Sequence, residues 1–145
     1  MLNIENMTNF IPNTQLLEDI ATRLTSREID LTLCYNNTIQ QYNKEYRQKD
    51  KATDVLSFPV ENDFILDTNL MPLGSIVISV DFVRHKAREY KHSEASEMAL
   101  LFIHGLLHLL GYDHETDSGE MREKEALIIK KFKLPKSLIV RIEEN

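Results

Sequence analysis

The sequence is poor in the residues that mark several classes of protein. Its 145 residues include one cysteine, Cys34, no tryptophan, four glycines and four prolines. A single cysteine excludes an intramolecular disulfide framework and suits the reducing cytoplasm. The glycines and prolines occur singly, so no linker rich in them divides the chain, and we expect one domain over residues 1–145.

Long hydrophobic runs are also missing. No uncharged apolar run approaches the roughly 20 residues that a helix needs to cross a bilayer, and the first residues lack a basic leader followed by an apolar core. The chain carries 17 Lys and Arg against 23 Asp and Glu, a formal net charge of −6. Bulk attraction to nucleic acid is therefore not expected, although a local basic groove is compatible with this charge. We expect a cytoplasmic protein without a membrane partner, and the sequence does not indicate its oligomeric state.

Hydrophobic periodicity predicts strands alternating with helices. Strands are predicted over residues 29–35, 55–59 and 74–80. Helices are predicted over residues 14–24, 37–48, 81–90, 93–110 and 118–133, with Thr14 and Asp81 as N-caps of two of them. Residues 62–73 are predicted to form a loop. The fold class is therefore α+β (mixed α/β), a small, mostly parallel mixed sheet of about four strands covered by about five or six helices.

Three of the five histidines, His104, His108 and His114, fall in the string H-G-L-L-H-L-L-G-Y-D-H. Positions four apart share one face of a helix, so His104 and His108 can bind the same ion. Gly111 permits a left-handed turn after the helix, which can return His114 to that ion. Three nitrogen ligands with a fourth position left to water are typical of catalytic zinc, although nickel, copper and iron also accept imidazole.

An apolar helix can also hold histidines that are simply core residues bonded to their neighbours. Two imidazoles within residues 100–110 would then be desolvated without an obvious partner, whereas one cation satisfies all three histidines together. We therefore predict one metal ion per chain, a zinc ion (Zn2+) by preference. His85 and His92 are predicted to be surface residues.

The histidine string closely resembles the signature of the YbeY family of bacterial endoribonucleases. Two more stretches agree in order: N-K-E-Y-R at 43–47 followed by T-D-V-L-S-F-P at 53–59, and L-G-S-I-V-I-S at 73–79. The resemblance implies a zinc-dependent, single-strand-specific endoribonuclease. Its implied roles are ribosomal RNA maturation, notably of the small subunit, and ribosome quality control, so its implied partners are single-stranded RNA, ribosomal RNA and the ribosome.

The resemblance also implies particular site residues. It assigns zinc binding to His104, His108 and His114, and a catalytic role to Arg47. Ser75 departs from the pattern, because the family usually has an acidic residue there. The planar guanidinium of Arg47 can hold two phosphate oxygens at once and neutralise charge that grows in the transition state.

Other residues offer RNA contacts on the basis of charge or ring chemistry. Two basic groups can follow a single-stranded backbone: Lys44, Arg47, Lys49 and Lys51, and the helical stripe Arg84, Arg88 and Lys91. Four aromatic residues can either stack on bases or belong to the core: Tyr42, Tyr46, Phe58 and Tyr112. No general base stands out, since Asp113, Glu115 and Asp117 can equally orient a histidine or cap the last helix.

Two other functions fit the same string. Metzincin proteases use H-E-x-x-H-x-x-G-x-x-H, and Gly105 replaces the glutamate that carries the proton in peptide hydrolysis. A zinc peptidase is therefore disfavoured. A non-catalytic, metal-stabilised RNA-binding or ribosome-binding module is the third possibility, and a fourth protein ligand on the metal would favour it.

Overall fold

The computed structural model describes residues 1–60 and 71–135. Within them the chain forms four strands and five helices, which agrees with the predicted totals of about four strands and five or six helices. In chain order these are β1 (Leu2–Asn6), α1 (Thr14–Leu24), β2 (Ile29–Cys34), α2 (Asn36–Arg47), β3 (Val55–Pro59), β4 (Gly74–Ser79), α3 (Val80–Tyr90), α4 (Glu94–Leu109) and α5 (Glu120–Phe132). The loop predicted over 62–73 lies, except for its last three residues, outside the described residues.

The four strands form one mixed sheet in the order β1-β2-β4-β3. The β1–β2 and β2–β4 pairs are parallel, and β3 lies antiparallel to β4. The predicted mostly parallel sheet is therefore confirmed. Strand β1 was not predicted, because its five residues have little signal beyond the alternation of Leu2 and Ile4 with polar neighbours. Its pairing with β2, which sets Ile4 opposite Leu31, makes it a strand.

Both faces of the sheet are covered, and α4 packs against β3 and β4 on one of them. Every residue of α4 from 97 to 107 is buried, which is why its sequence is apolar on all sides. Ile76 and Ile78 of β4 join this main core. Val77, between them, faces the smaller cluster with Ile39 of α2 and Cys34, and burial raises the pKa of the Cys34 thiol to about 11. No described helix is long and apolar enough to cross a membrane.

Two of the predicted N-caps are wrong, because the side chain of another residue caps each helix. Asn13, not Thr14, caps α1, since its Oδ1 accepts from the backbone N of Leu16 at 3.2 Å. Ser79, not Asp81, caps α3, because the chain turns into the helix directly after β4. Asp81 instead accepts from the backbone N of Asn36 at 2.8 Å, which joins α3 to the start of α2.

Helix α5 begins two residues later than predicted. Gly119 precedes it with a φ of 109°. The Asp117 carboxylate accepts from the backbone N of Gly119 at 2.9 Å and from that of Met121 at 3.0 Å. Asp117 therefore serves the start of the last helix, one of the two roles that the sequence left open for it.

The prediction that His92 is a surface residue is wrong. Its side chain is 14% exposed, and its Nε2 lies 2.7 Å from Oε1 of the fully buried Glu97. The first turn of α4 directs Glu97 inward, and a buried carboxylate needs a polar partner. His85 is 67% exposed, as predicted.

Gly74 leaves no room for a side chain between β4 and β3, and we predict that Gly74→Ala destabilises the protein by about 3 kcal/mol or more. An added Cβ would lie 2.5 Å from the backbone oxygen of Phe58 and 2.8 Å from Leu109, at a φ of 154°. Gly119→Ala is the matched control, because its φ is also positive but no atom lies within 4 Å. It should cost about 1–2 kcal/mol. Urea unfolding measures both, and equal losses would contradict this account.

Candidate metal centre

The last two turns of α4 bring His104 and His108 together. Their Nε2 atoms are 3.3 Å apart, and their ring centroids are 4.8 Å apart. His104 is 8% exposed, because the helix face that carries it is covered by other elements. The two imidazoles therefore lie on one face of the helix, as their spacing of four residues predicts, and a nitrogen of each ring faces the other ring.

The turn after α4 returns His114 to the same place. Gly111 adopts a φ of 98°, and its backbone N donates to the oxygen of His108 while that of Tyr112 donates to the oxygen of Leu107. This pair of bonds is a Schellman motif. The His114 ring centroid then lies 5.5 Å from that of His104 and 5.9 Å from that of His108. One nitrogen from each ring lies within 4.8 Å of the other two.

The donor set fits a divalent metal ion. Zinc–nitrogen bonds of about 2.0–2.1 Å in a tetrahedron place neighbouring ligand atoms about 3.3–3.4 Å apart, and the His104–His108 nitrogen separation of 3.3 Å matches that edge. Among the described side chains, Nδ1 of His114 is one of two buried nitrogen or oxygen atoms without a hydrogen-bond partner. A cation among the three rings would compensate for this desolvated imidazole.

The environment of His108 keeps its ring neutral. Burial lowers its pKa below the ordinary value of 6.5, and repulsion from His104 and His114 lowers it further. The backbone bond at Tyr112 and the charge of Asp113 act in the opposite direction without cancelling these effects. Metal ions bind the neutral imidazole, so the lowered pKa favours metal binding at neutral pH.

Glu125 of α5 contacts His104 of the histidine cluster, and the sequence analysis did not identify Glu125 as a site residue. Its Oε2 lies 3.4 Å from Nδ1 of His104, and the residue is 1% exposed. A carboxylate on the far nitrogen of a ligand histidine orients the ring and directs the other nitrogen toward a metal. A usable signal was present, because Met121, Glu125 and Ile128 share the buried face of an amphipathic helix. A glutamate on such a face needs a partner.

The three histidines lie in a cleft of about 620 Å³. Its walls are the end of α2, the edge strand β3, and the turn after α4. Arg47, the predicted catalytic residue, lines the same cleft, as do Asp113 and Glu115. Among the described residues, neither Ser75 nor the stripe on α3 lines it. Arg84 of that stripe instead contacts the Phe10 ring and Asn9.

Gly105, between the two helical histidines, faces the sheet. An added Cβ would lie 3.1 Å from Ile76 and from Ser57, and 3.2 Å from Val55. The Ser57 hydroxyl also donates to the Gly105 oxygen at 2.9 Å. A larger side chain at position 105 would therefore push α4 away from β3 and β4.

Comparison with known proteins gives one family. A family model described as Endoribonuclease YbeY matches residues 3–133. A protein named Endoribonuclease YbeY from Sulfurovum sp. (strain NBC37-1) is 55% identical over 142 residues, which cover 97% of each chain. One of the same name from Aliarcobacter butzleri is 59% identical over 141 residues, 97% of this chain and 99% of that one.

A solved structure is similar over most of its length. It is the solution structure of a Thermotoga maritima protein, with a TM-score of 0.59 and 26% sequence identity. The match covers 91% of this chain and 89% of that chain. The α+β arrangement described above is therefore one that an experimentally determined structure also has.

The Glu125 contact predicts that Glu125→Gln weakens metal binding by about 10- to 100-fold, the usual cost of losing a partner of a ligand histidine. Titration against a competing chelator measures the affinity, and circular dichroism checks the fold. Glu123→Gln is the matched control, because Glu123 lies on the exposed side of the same helix. Unchanged affinity in folded Glu125→Gln protein would remove Glu125 from the metal centre.

The lowered pKa of His108 predicts the pH dependence of stability in the metal-free protein. At pH values between the lowered pKa of folded His108 and 6.5, this histidine binds a proton in the unfolded chain but not in the folded chain. The contribution of His108 to the free energy of unfolding is therefore largest above pH 6.5 and decreases as the pH falls through this range. In His108→Gln protein this decrease should be smaller, whereas the exposed His85→Gln control should keep it. Urea unfolding at several pH values measures the effect, and an identical decrease in His108→Gln protein would contradict it.

Proposed function

The chain belongs to the YbeY endoribonuclease family, and on that premise we propose that it is a zinc-dependent endoribonuclease that cleaves single-stranded RNA in ribosomal RNA maturation. The observation that carries this proposal is the presence of three converging imidazoles and Arg47 in one cleft. The proposal extends to a role in ribosome quality control, with the ribosome as partner.

The cleft residues have distinct tasks in this proposal. His104, His108 and His114 would hold one zinc ion, and Glu125 positions the first of them. A bound zinc ion supplies Lewis-acid polarisation of a phosphoryl oxygen. The Arg47 guanidinium holds the phosphate by two of its oxygens and neutralises charge that develops there during cleavage.

Local charge supports RNA as the substrate despite the net charge of −6. Four exposed basic residues surround the end of α2 beside the cleft: Lys44, Arg47, Lys49 and Lys51. Lys44 lies 3.9 Å from Asp50, but both side chains are more than 60% exposed, so this pair is weak in water. The cluster can therefore follow a phosphate backbone to the histidines.

The structure disfavours a peptidase. The glutamate of a metzincin would occupy position 105, where the backbone lies against Ile76 and Ser57 of the sheet. A non-catalytic metal module is disfavoured for a different reason. The described residues offer the ion the three histidines and no fourth His, Cys, Asp or Glu in the same group, and an open position is typical of catalytic zinc.

We predict that His104→Ala, His108→Ala and His114→Ala each lose bound zinc and RNA cleavage together. Arg47→Ala should retain zinc but cleave RNA about 100- to 1,000-fold more slowly, the usual cost of removing one group that stabilises transition-state charge. Arg23→Ala, an exposed arginine of α1, is the charge-matched control and should behave as the parent protein. Metal analysis and digestion of single-stranded RNA, with and without chelator, measure both properties.

The outcomes separate the three functions. Cleavage of unstructured protein but not of RNA indicates the peptidase, and RNA binding without cleavage indicates the non-catalytic module. RNA cleavage that is insensitive to chelator contradicts the metal-dependent mechanism. Small-subunit precursor ribosomal RNA should be cleaved faster than an unrelated single strand, and equal rates would contradict a role in ribosomal RNA maturation.

A further inference from the structure

Three aromatic side chains form a patch where α2 meets β3. We call Tyr42, Tyr46 and Phe58 the aromatic patch. Tyr46 is 61% exposed, whereas Tyr42 and Phe58 are partly buried against the small core beneath α2. Tyr112, the fourth candidate for stacking, packs instead against the main core. Of the four aromatic residues, Tyr42, Phe58 and Tyr112 therefore pack against the core, and Tyr46 is a surface residue.

The two partly buried rings hold Tyr46 in place. The Tyr42 and Tyr46 rings are stacked, with centroids 6.1 Å apart and planes at 21°. The Phe58 ring meets Tyr46 edge-on at 5.3 Å. Such contacts restrict ring rotation before any ligand arrives, which lowers the entropy lost on binding. Tyr46 is thus an exposed but ordered aromatic surface.

The aromatic patch lies next to the cleft, although none of its three rings lines it. Arg47, which follows Tyr46 directly, lines the cleft, as do Ser57 and Pro59 of β3, whereas Phe58 between them faces the small core beneath α2. The exposed lysines at positions 44, 49 and 51 lie around the same end of α2. An RNA whose phosphate contacts Arg47 therefore has an ordered aromatic ring and several cations within reach of the next part of the strand.

The chemistry of this arrangement matches one kind of ligand. Sites for single-stranded nucleic acid combine a basic path for the backbone with exposed rings on which bases stack. In a duplex the faces of each base are covered by its neighbours, so a ring that requires a free base face selects against paired RNA. Stacking also tolerates any base, because every base has a π-face.

The geometry points to Tyr46 as a base-stacking subsite for single-stranded RNA, supported by Tyr42 and Phe58, beside the phosphate held by Arg47. This inference rests on the proposed function and deepens it, since it assigns the preference for unpaired RNA to a particular ring. Tyr46 binds the strand, and Arg47 and the histidine cluster act on its phosphate.

Equilibrium binding tests the subsite without cleavage. Fluorescence anisotropy of an end-labelled single-stranded RNA, with chelator present, gives the affinity of each variant. Tyr46→Ala should weaken binding by about 5- to 100-fold, while Tyr46→Phe should restore most of it. Tyr46→Leu, which keeps an apolar cover over Phe58 but cannot stack a base, should resemble Tyr46→Ala. Equal affinity of the Leu and Phe variants would overturn the inference.

A matched tyrosine elsewhere controls for general effects. Tyr90 of α3 is also stacked on a ring, that of His92, and also has a lysine nearby, but no residue of α3 lines the cleft, whereas Tyr46 directly precedes the cleft residue Arg47. Tyr90→Ala should leave RNA binding unchanged. A loss equal to that of Tyr46→Ala would show that tyrosine removal acts through the fold and would overturn the subsite.

RNA containing a single abasic nucleotide identifies the stacked base. In the parent protein, removing one particular base should weaken binding as much as Tyr46→Ala does, and in Tyr46→Ala protein the same removal should have little further effect. Fully additive losses would overturn the subsite. If the parent protein binds RNA in this Tyr46-dependent way but never cleaves it, the proposed catalysis fails while the subsite stands. If it cleaves RNA with no dependence on Tyr46, the subsite alone fails.

Discussion

The close contact between α4 and the sheet at Gly105 is the constraint on which the site depends. There the helix backbone lies against Ser57 and Ile76 without an intervening side chain. The two histidines that flank Gly105 are consequently held beside the edge strand β3, within the cleft that also receives Arg47 from α2. Since the helix is buried along most of its length, core packing determines its position. The same packing therefore fixes the positions of the imidazoles that the helix carries.

Burial of the histidines costs free energy that another interaction must offset. His104 lies almost wholly inside the protein, and its far nitrogen faces the buried Glu125 carboxylate. The pKa of His108 is lowered by burial and by its neighbours, and the Nδ1 of His114 has no hydrogen-bond partner among the described residues. Without a cation, the chain therefore keeps desolvated nitrogens close together. With one, the same desolvation strengthens binding, because a metal ion competes poorly for protonated or hydrated imidazoles.

Several parts of this structure follow from local sequence, and others do not. The spacing of His104, His108 and His114 with the glycine at 111 was sufficient to predict their convergence, since helix geometry and a left-handed turn are local properties. The contact of Glu125 with His104 joins residues 21 apart in sequence through the packing of α5 on α4. The amphipathic pattern of α5 places Glu125 on a buried face, but it does not identify His104 as the partner. Strand β1 similarly depends on its partner β2. From the sequence, only the family resemblance connected Arg47 with the histidines. Arg47 and the histidines line the same cleft because β3 lies antiparallel to β4 at the sheet edge, and this long-range pairing is not visible in the local sequence.

We propose above all that the three imidazoles share one zinc ion and leave one coordination position to solvent. X-ray absorption spectroscopy of the zinc-loaded protein measures this directly. We expect one zinc per chain, with nitrogen or oxygen neighbours at about 2.0–2.1 Å and an outer-shell signal for three imidazole rings. A fourth imidazole, or a sulfur neighbour at about 2.3 Å, would contradict it.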